Sequence, residues 1–257
     1  MQRVWDVIGD ALAEEGFALG GGLAMRAHGI VDRETQDIDA FRRDPVRTDP
    51  EAFNRAQKKL LRELGGQGLH VETSTRHDFA RRFEVTDPAT SDSTSIDLGR
   101  DRFPGAFVHI PGYGLVVNRD DMAGMKMRAL WERHAERDYI DYDAMLSSGI
   151  WRVRDLVQLL DRTGSIDPPE DGDWRPKLAE ILVDSEAGTN KKVLRGLGID
   201  NPSELFGRLH GYADEHLDLP TQTRGNSTQA SNRRRFPELF DDDGETEERS
   251  EQGPELG

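Results

Sequence analysis

Cysteine is absent from the 257-residue chain, which excludes disulfides, thiolate metal sites and cysteine nucleophiles. No apolar run approaches the ~20 residues that a membrane-spanning helix needs. The opening sequence MQRVWDVIGDALAEE also lacks the charged and then apolar pattern of a signal peptide. We therefore expect a cytoplasmic protein without a membrane partner.

Basic residues are outnumbered by acidic residues, 34 to 49, and the formal net charge is −15. About half of this excess comes from residues 236–257, which hold nine acidic residues and one arginine. The balance argues against general coating of nucleic acid, although arginine clusters can still hold phosphate locally. Lysine is scarce, and Lys126 is unusual because it lies within the apolar segment MAGMKMRAL.

Hydrophobic periodicity predicts an α+β fold, with a small mixed sheet flanked by helices. Strand-like runs are FALG, TQDIDAF, LHVETST, RRFEVTD and STSIDLG. Helical patterns cover the N-terminus, GLAMRAHG, a segment from Asp49 to Leu64, and roughly 120–146, 151–162, 173–184 and 202–216. We predict three parts: a sheet-containing domain over 1–150, a helical C-terminal subdomain over 151–220, and a disordered linker and acidic tail over 221–257.

The segment QDIDAF places two acids in an otherwise apolar strand pattern. On a strand Asp37 and Asp39 project to one face while Ile38 points to the other. Two adjacent carboxylates repel each other, and Mg²⁺, which takes one or two carboxylates together with phosphate oxygens, would remove that repulsion. The alternative is an ordinary solvated strand edge, which is the commoner setting for an isolated pair of this kind.

Two further features favour the metal hypothesis. Gly20, Gly21 and Gly22 precede a short helix, where exposed backbone N–H groups can cradle phosphate, although such a triplet is more often only a turn. Asp97 alternates with Ile96 and Leu98 in a later strand and is a candidate third ligand. Two metals about 4 Å apart usually need three carboxylates.

The segment GGLAMRAHGIVDRETQDIDAF resembles the opening motif of nucleotidyltransferase-fold proteins related to AbiEii toxins. The matching positions are Gly21, Gly22, Ala24, His28, Gly29, Arg33, Thr35, Asp37, Ile38 and Asp39. A second segment, DDMAGMKMRALWERHAERDYIDYDAML, is similar to the family's helical lysine followed by an R-D-x-x-D segment. Its matching positions are Lys126, Arg137, Asp138 and Asp141. Leu23 departs from the pattern, because many members have Ser or Thr there.

The resemblance implies transfer of a nucleotide from an NTP to an acceptor hydroxyl, with release of pyrophosphate and a two-Mg²⁺ site. It assigns metal binding to Asp37, Asp39 and Asp97. It assigns catalytic roles to these three and to Lys126 and Asp141, and nucleotide binding to Gly21, Gly22, Arg33, Thr35 and Lys126. The implied partners are an NTP, a tRNA or other RNA acceptor, and a cognate antitoxin.

Several alternatives stay open. Arg33 is expected either to pair with Asp37 or to reach a phosphate, and His28 to be structural. A straight helix would separate Lys126 from Asp141 by about 22 Å, so both serve one site only if the chain bends near RHAER. The acceptor could instead be a small molecule or a protein hydroxyl, and the chain could be a degenerate binding module without turnover.

Overall fold

The computed structural model describes residues 2–35, 37–43, 50–77, 80–163 and 169–219. Within these ranges the chain forms ten helices and seven strands. The helices are α1 (Gln2–Ala13), α2 (Gly21–Ala27), α3 (Pro50–Gly66), α4 (Arg119–Arg133), α5 (Glu136–Ser147), α6 (Val153–Thr163), α7 (Arg175–Val183), α8 (Ser185–Gly188), α9 (Lys191–Gly196) and α10 (Pro202–Asp218). The strands are β1 (Phe17–Leu19), β2 (Asp37–Arg43), β3 (His70–His77), β4 (Ala80–Thr86), β5 (Ser93–Asp101), β6 (Val108–Ile110) and β7 (Gly114–Val116).

All seven strands join one mixed sheet in the order β3-β4-β5-β2-β1-β7-β6. The pairs β2–β5 and β1–β7 are parallel, and the other neighbours are antiparallel. The predicted α+β class with a mixed sheet is therefore confirmed. The hairpin β6–β7 was not predicted, since its two strands have three residues each within a glycine- and proline-rich segment.

Residue alternation sends the apolar side chains of the central strands to one face of the sheet. Ile38 and Ala40 of β2 are fully buried, and β1 continues this face with Phe17, whose ring meets Phe53 of α3 edge-on at 5.1 Å. Helices α1 and α3 pack against each other on this side. The opposite face of β2 is left to the carboxylates of the DID segment.

Helices α4 and α5 are separated by a sharp break at His134, which adopts a left-handed conformation with φ 52°. Asn118 caps the start of α4 by accepting a hydrogen bond from the Asp121 N–H at 3.0 Å. Asp138 of α5 accepts one from the Ala135 N–H at 3.0 Å. These caps stabilise the starts of both helices, and the left-handed His134 ends α4. The chain therefore bends within the segment RHAER, where a site shared by both helices was expected to need a bend.

The C-terminal helices pack onto this core. Helix α6 lies against α4, and α10 lies against α7 and α5. The rings of Trp131 and Trp174 meet edge-on at 4.9 Å. Residues up to Leu219 form one compact unit, and the boundary proposed at residue 150 stays a prediction. The predicted disordered tail lies outside the described residues, and in the part of the chain that is described no helix is long and apolar enough to cross a membrane.

Candidate active site

Three predicted carboxylates lie on one face of two neighbouring strands. The parallel register of β2 and β5 pairs Asp39 with Asp97 and Asp37 with Ser95. In each strand these residues alternate with fully buried apolar residues, such as Ile38 in β2. The sheet therefore brings together acids that are far apart in the sequence.

The glycine turn lies directly against Asp39. The Gly20 N–H donates to the backbone oxygen of Asp39 at 2.7 Å. Gly21 has φ +59°, and a Cβ at this position would fall 1.8 Å from Asp39 Oδ2. A Cβ at Gly22 would fall 2.9 Å from the Thr35 hydroxyl. Only glycine at position 21 allows this close approach, so the turn is shaped around the carboxylate.

Each carboxylate oxygen of Asp37 has a donor. Ser95 Oγ donates to Oδ1 at 2.7 Å, and Arg137 Nη1 donates to Oδ2 at 3.0 Å. Burial acts to raise the pKa of Asp37, but the hydrogen bonds from Ser95 and Arg137 outweigh it and the pKa is lowered. Asp37 is therefore held as an ionised carboxylate.

Asp97 and Asp39 have the opposite electrostatic setting. Burial raises the pKa of Asp97 to about 6, and the neighbouring charges of Asp39 and Asp37 add to the rise. Arg82 Nη2 lies 3.2 Å from Asp97 Oδ2 and offsets part of it. Burial also raises the pKa of Asp39, against the attraction of Lys126. Ionisation of these two carboxylates is therefore unfavourable in the folded protein, and a nearby cation would make it more favourable.

Asp141 of α5 has none of its surface exposed. Its Oδ2 is 2.8 Å from Lys126 Nζ. It also accepts hydrogen bonds from Arg33, at 2.9 Å from Nε and at 2.7 Å and 2.9 Å from Nη2. The bend at His134 makes the contact with Lys126 possible. The expected pairing of Arg33 with Asp37 is not the one observed, because the Nε–Nη2 edge of its guanidinium binds the buried Asp141. Contact of Arg33 with a phosphate stays a prediction.

Two consecutive residues of the R-D-x-x-D segment make different contacts, one with α4 and one with the candidate site. Asp138 is buried and binds Arg133 through two hydrogen bonds, at 2.8 Å and 2.7 Å. Arg137, the preceding residue, points away from this pair and reaches Asp37. One turn of α5 therefore anchors the helix junction and supplies a cation to the carboxylates.

The remaining motif positions have structural contacts. His28 Nε2 lies 2.8 Å from the backbone oxygen of Val117, as expected for a structural histidine. Leu23, which replaces the usual Ser or Thr, is part of the hydrophobic core. The Thr35 hydroxyl donates to the backbone oxygen of Asp37 at 3.4 Å. A hydroxyl is thus present next to Gly22, contributed by Thr35.

The family model described as nucleotidyl transferase AbiEii toxin, type IV toxin–antitoxin system, matches residues 3–188. The chain belongs to the AbiEii family. It is therefore a nucleotidyltransferase of a toxin–antitoxin family, and the resemblance found in its two sequence segments is confirmed. A search of curated protein sequences finds no match.

Solved structures show the same fold as this AbiEii-family chain. The crystal structure of JHP933 from Helicobacter pylori has a TM-score of 0.52 at 14% identity, over 92% of this chain and 96% of that protein. MenT4, a nucleotidyltransferase toxin from Mycobacterium tuberculosis, has a TM-score of 0.53 at 17% identity, over 80% of this chain and 77% of that protein. These likenesses establish the nucleotidyltransferase fold.

The carboxylate set of this AbiEii-family chain fits a divalent cation in its donor chemistry. Asp37, Asp39 and Asp97 supply hard oxygen ligands on one face, and their repulsion contributes to the raised pKa of Asp97. Among the described residues, no three acidic or histidine side chains already converge as a metal-ligand group. Asp37 and Asp97 are instead engaged by arginines.

Two site residues were not identified from the sequence. Ser95 contacts the carboxylate of Asp37, and Arg82 contacts the carboxylate of Asp97. Arg82 Nη2 also donates to Ser95 Oγ at 3.4 Å. Their only sequence signal is their position in the alternation of β4 and β5, which puts them on the same face as Asp97. That signal becomes informative only once the strand register is known.

Proposed function

We propose that the chain transfers a nucleotide from an NTP to the terminal hydroxyl of an RNA, of the tRNA type, with Mg²⁺ held by Asp37, Asp39 and Asp97. The observation that carries the proposal is the register pairing of Asp39 with Asp97 on the face next to Gly21. Packing gives no reason to place these charges together, whereas a bound metal–triphosphate does.

The reaction forms one bond and breaks one. The acceptor hydroxyl oxygen attacks the α-phosphorus, the bond from the α-phosphorus to the bridging oxygen breaks, and pyrophosphate leaves. Asp97 accepts the hydroxyl proton, because its carboxylate is basic and lies on the same strand face as Asp39. When bound, Mg²⁺ lowers the pKa of the hydroxyl and offsets charge on the leaving group.

Lys126 and Asp141 have different roles in this proposal. The charge of Lys126 opposes the burial that raises the pKa of Asp39, so its ammonium lies close enough to face a triphosphate bound there. Asp141 has no exposed surface and contacts Lys126 and Arg33. We therefore assign Asp141 as a positioning residue and Lys126 as the triphosphate-binding cation.

Positive charge around the carboxylates supports a polyanionic acceptor. The side chains of Arg82, Arg133 and Arg137 are 44%, 53% and 43% exposed. Each contacts an acid of the cluster or of the helix junction, yet each keeps surface that can meet phosphate. Membership of a toxin family supports tRNA as the RNA and a cognate antitoxin as a protein partner.

A transfer assay with separated acceptors tests the proposal. Purified protein is incubated with Mg²⁺, one α-labelled NTP at a time, and total tRNA; Asp39→Asn serves as the inactive control. Products are separated into RNA, protein and small molecules. Label in RNA with the wild type alone is the expected result, and it also identifies the nucleotide.

The other outcomes would identify a different acceptor or exclude transfer. Label on protein would mean that a protein hydroxyl is the acceptor, and label on a small molecule would mean a small hydroxyl substrate. Binding of Mg²⁺–NTP without label in any fraction, even after addition of cell extract as an acceptor source, would contradict transfer and favour a binding module.

A further inference from the structure

Two arginines from different elements each contact one oxygen of the carboxylate set. Arg137 of α5 donates to Asp37 Oδ2 at 3.0 Å, and Arg82 of β4 lies 3.2 Å from Asp97 Oδ2. Both side chains are nearly half exposed. Neither arginine is held in a closed pocket, so each can leave its carboxylate by a change of rotamer.

The arginine contacts form one connected network. Arg82 Nη2 also donates to Ser95 Oγ at 3.4 Å, and Ser95 Oγ donates to Asp37 Oδ1 at 2.7 Å. A single guanidinium therefore influences both acids. Glu84, on the same face of β4, lies 3.8 Å from Arg82, and offers that side chain a second partner.

We propose that Arg82 and Arg137 are exchangeable counter-cations. They neutralise Asp97 and Asp37, compete with a divalent cation for the same oxygens, and move to phosphate when a metal-bound nucleotide enters. This inference rests on the proposed function. Its consequence is ordered loading. A divalent cation alone binds weakly, because it must break a guanidinium–carboxylate pair. It binds well together with a triphosphate, whose phosphates give the displaced guanidinium a strong new partner.

Removal of either arginine should have opposite effects on metal binding and on nucleotide binding. Without nucleotide, Arg82→Gln and Arg137→Gln should bind Mn²⁺ roughly two- to fivefold more tightly than the wild type, the range set by loss of a partly exposed ion pair. With saturating Mg²⁺, the same variants should bind an α,β-methylene nucleoside triphosphate roughly tenfold more weakly, since a charge-assisted hydrogen bond to phosphate is lost. A purely structural arginine would weaken both.

Mn²⁺ titration by calorimetry and electron paramagnetic resonance at low ionic strength measures the first effect, and nucleotide titration measures the second. Arg62→Gln is the matched control, because Arg62 is 71% exposed on α3 and pairs with Glu63. It removes one positive charge without touching the carboxylates. Thermal melting confirms that the variants are folded.

Equal or weaker Mn²⁺ binding by both arginine variants, or tightening by Arg62→Gln to the same extent, would overturn the inference. The Asp39→Asn variant distinguishes failure of this inference from failure of the proposed function. If Asp39→Asn abolishes Mn²⁺ binding while the arginine variants bind no more tightly, the metal site stands and only the counter-cation role is wrong. If Asp39→Asn binds Mn²⁺ like the wild type, the metal site itself is wrong, and both proposals fall.

Discussion

The carboxylate of Asp141 lies 2.8 Å from Lys126 Nζ, although the two residues belong to different helices on either side of a left-handed residue. Asp141 is fully buried and Lys126 is 9% exposed. Because Arg33 also binds the same carboxylate, one buried acid joins the segment after α2 to both α4 and α5. The position of Lys126, the cation with the largest electrostatic effect on Asp39, thus depends on an acid that does not meet solvent.

Removal of Asp141 should therefore be costly for folding. Asp141→Ala leaves two buried cations without their acid, and we expect a loss of about 3–5 kcal/mol in the free energy of unfolding. Urea denaturation measures it. Glu63→Ala, which breaks the exposed pair with Arg62, is the control and should cost no more than about 1 kcal/mol. Similar small losses for both variants would show that the buried pair does not hold the helices together.

Gly21→Ala should damage the site more than the fold. Both Gly21 and Gly68 have positive φ, at +59° and +76°, but only Gly21 would place a Cβ against Asp39. We expect Gly68→Ala to lose about 1–2 kcal/mol of stability from backbone strain alone. Gly21→Ala should in addition lower transfer about a hundredfold, since it displaces a carboxylate by the order of an ångström. Equal activity of the two variants would contradict this role of Gly21.

Asp97 should destabilise the fold above its pKa. The pKa of Asp97 is raised from 3.8 to about 6, first by burial and then by Asp39 and Asp37. The folded state therefore binds the proton more strongly, and this contribution to stability falls as the pH rises from about 4 to 6. We expect Asp97→Asn to melt at a higher temperature than the wild type at pH 8, with the difference shrinking toward pH 4. A lower melting temperature at pH 8 would contradict the burial cost.

His216 should act with the opposite sign in the same pH range. It is fully buried, its Nε2 lies 2.8 Å from the Tyr142 hydroxyl, and burial lowers its pKa from 6.5 to about 4. Below pH 6.5 the unfolded chain takes up a proton that the folded chain refuses, so stability is lost as the pH falls. Between pH 7 and pH 5 this loss should be about 2 kcal/mol.

His216→Phe removes the titrating group while it keeps an aromatic ring beside Tyr142. The difference in unfolding free energy between wild type and variant, measured in urea at pH 7 and pH 5, isolates the histidine from Asp97. A difference that does not change with pH would show that His216 is protonated as readily in the folded protein as in the unfolded chain.

The fold could be predicted where a periodic pattern was long enough. Strands β3, β4 and β5 and helix α3 were predicted close to their observed positions, because alternation or a helical face extends over several residues in each. The hairpin β6–β7 and the short helices α8 and α9 were missed. Elements of three to six residues span fewer than two periods of the strand or helix repeat, and their pairing partners determine them.

The site could be predicted in its residue types but not in its contacts. Asp37, Asp39 and Asp97 share a face as expected, since side-chain direction on a strand follows from local alternation. The partners of Arg33 and Arg137 depend on how α4, the bend and α5 fold back, and no local pattern records that geometry. For the same reason Arg82 gave no signal until the register of β4 with β5 was known.

The central claim is that the Asp39–Asp97 pair builds a nucleotidyl-transfer site, and the most direct measurement is the rate of pyrophosphate release. Wild type, Asp39→Asn, Asp97→Asn and Asp92→Asn are compared with the four NTPs, Mg²⁺ and total tRNA. Asp92, exposed in the turn before β5, is the matched control. We predict that Asp92→Asn keeps the wild-type rate and that the two site variants lose about a thousandfold. Site variants that release pyrophosphate within tenfold of the wild-type rate would contradict the account.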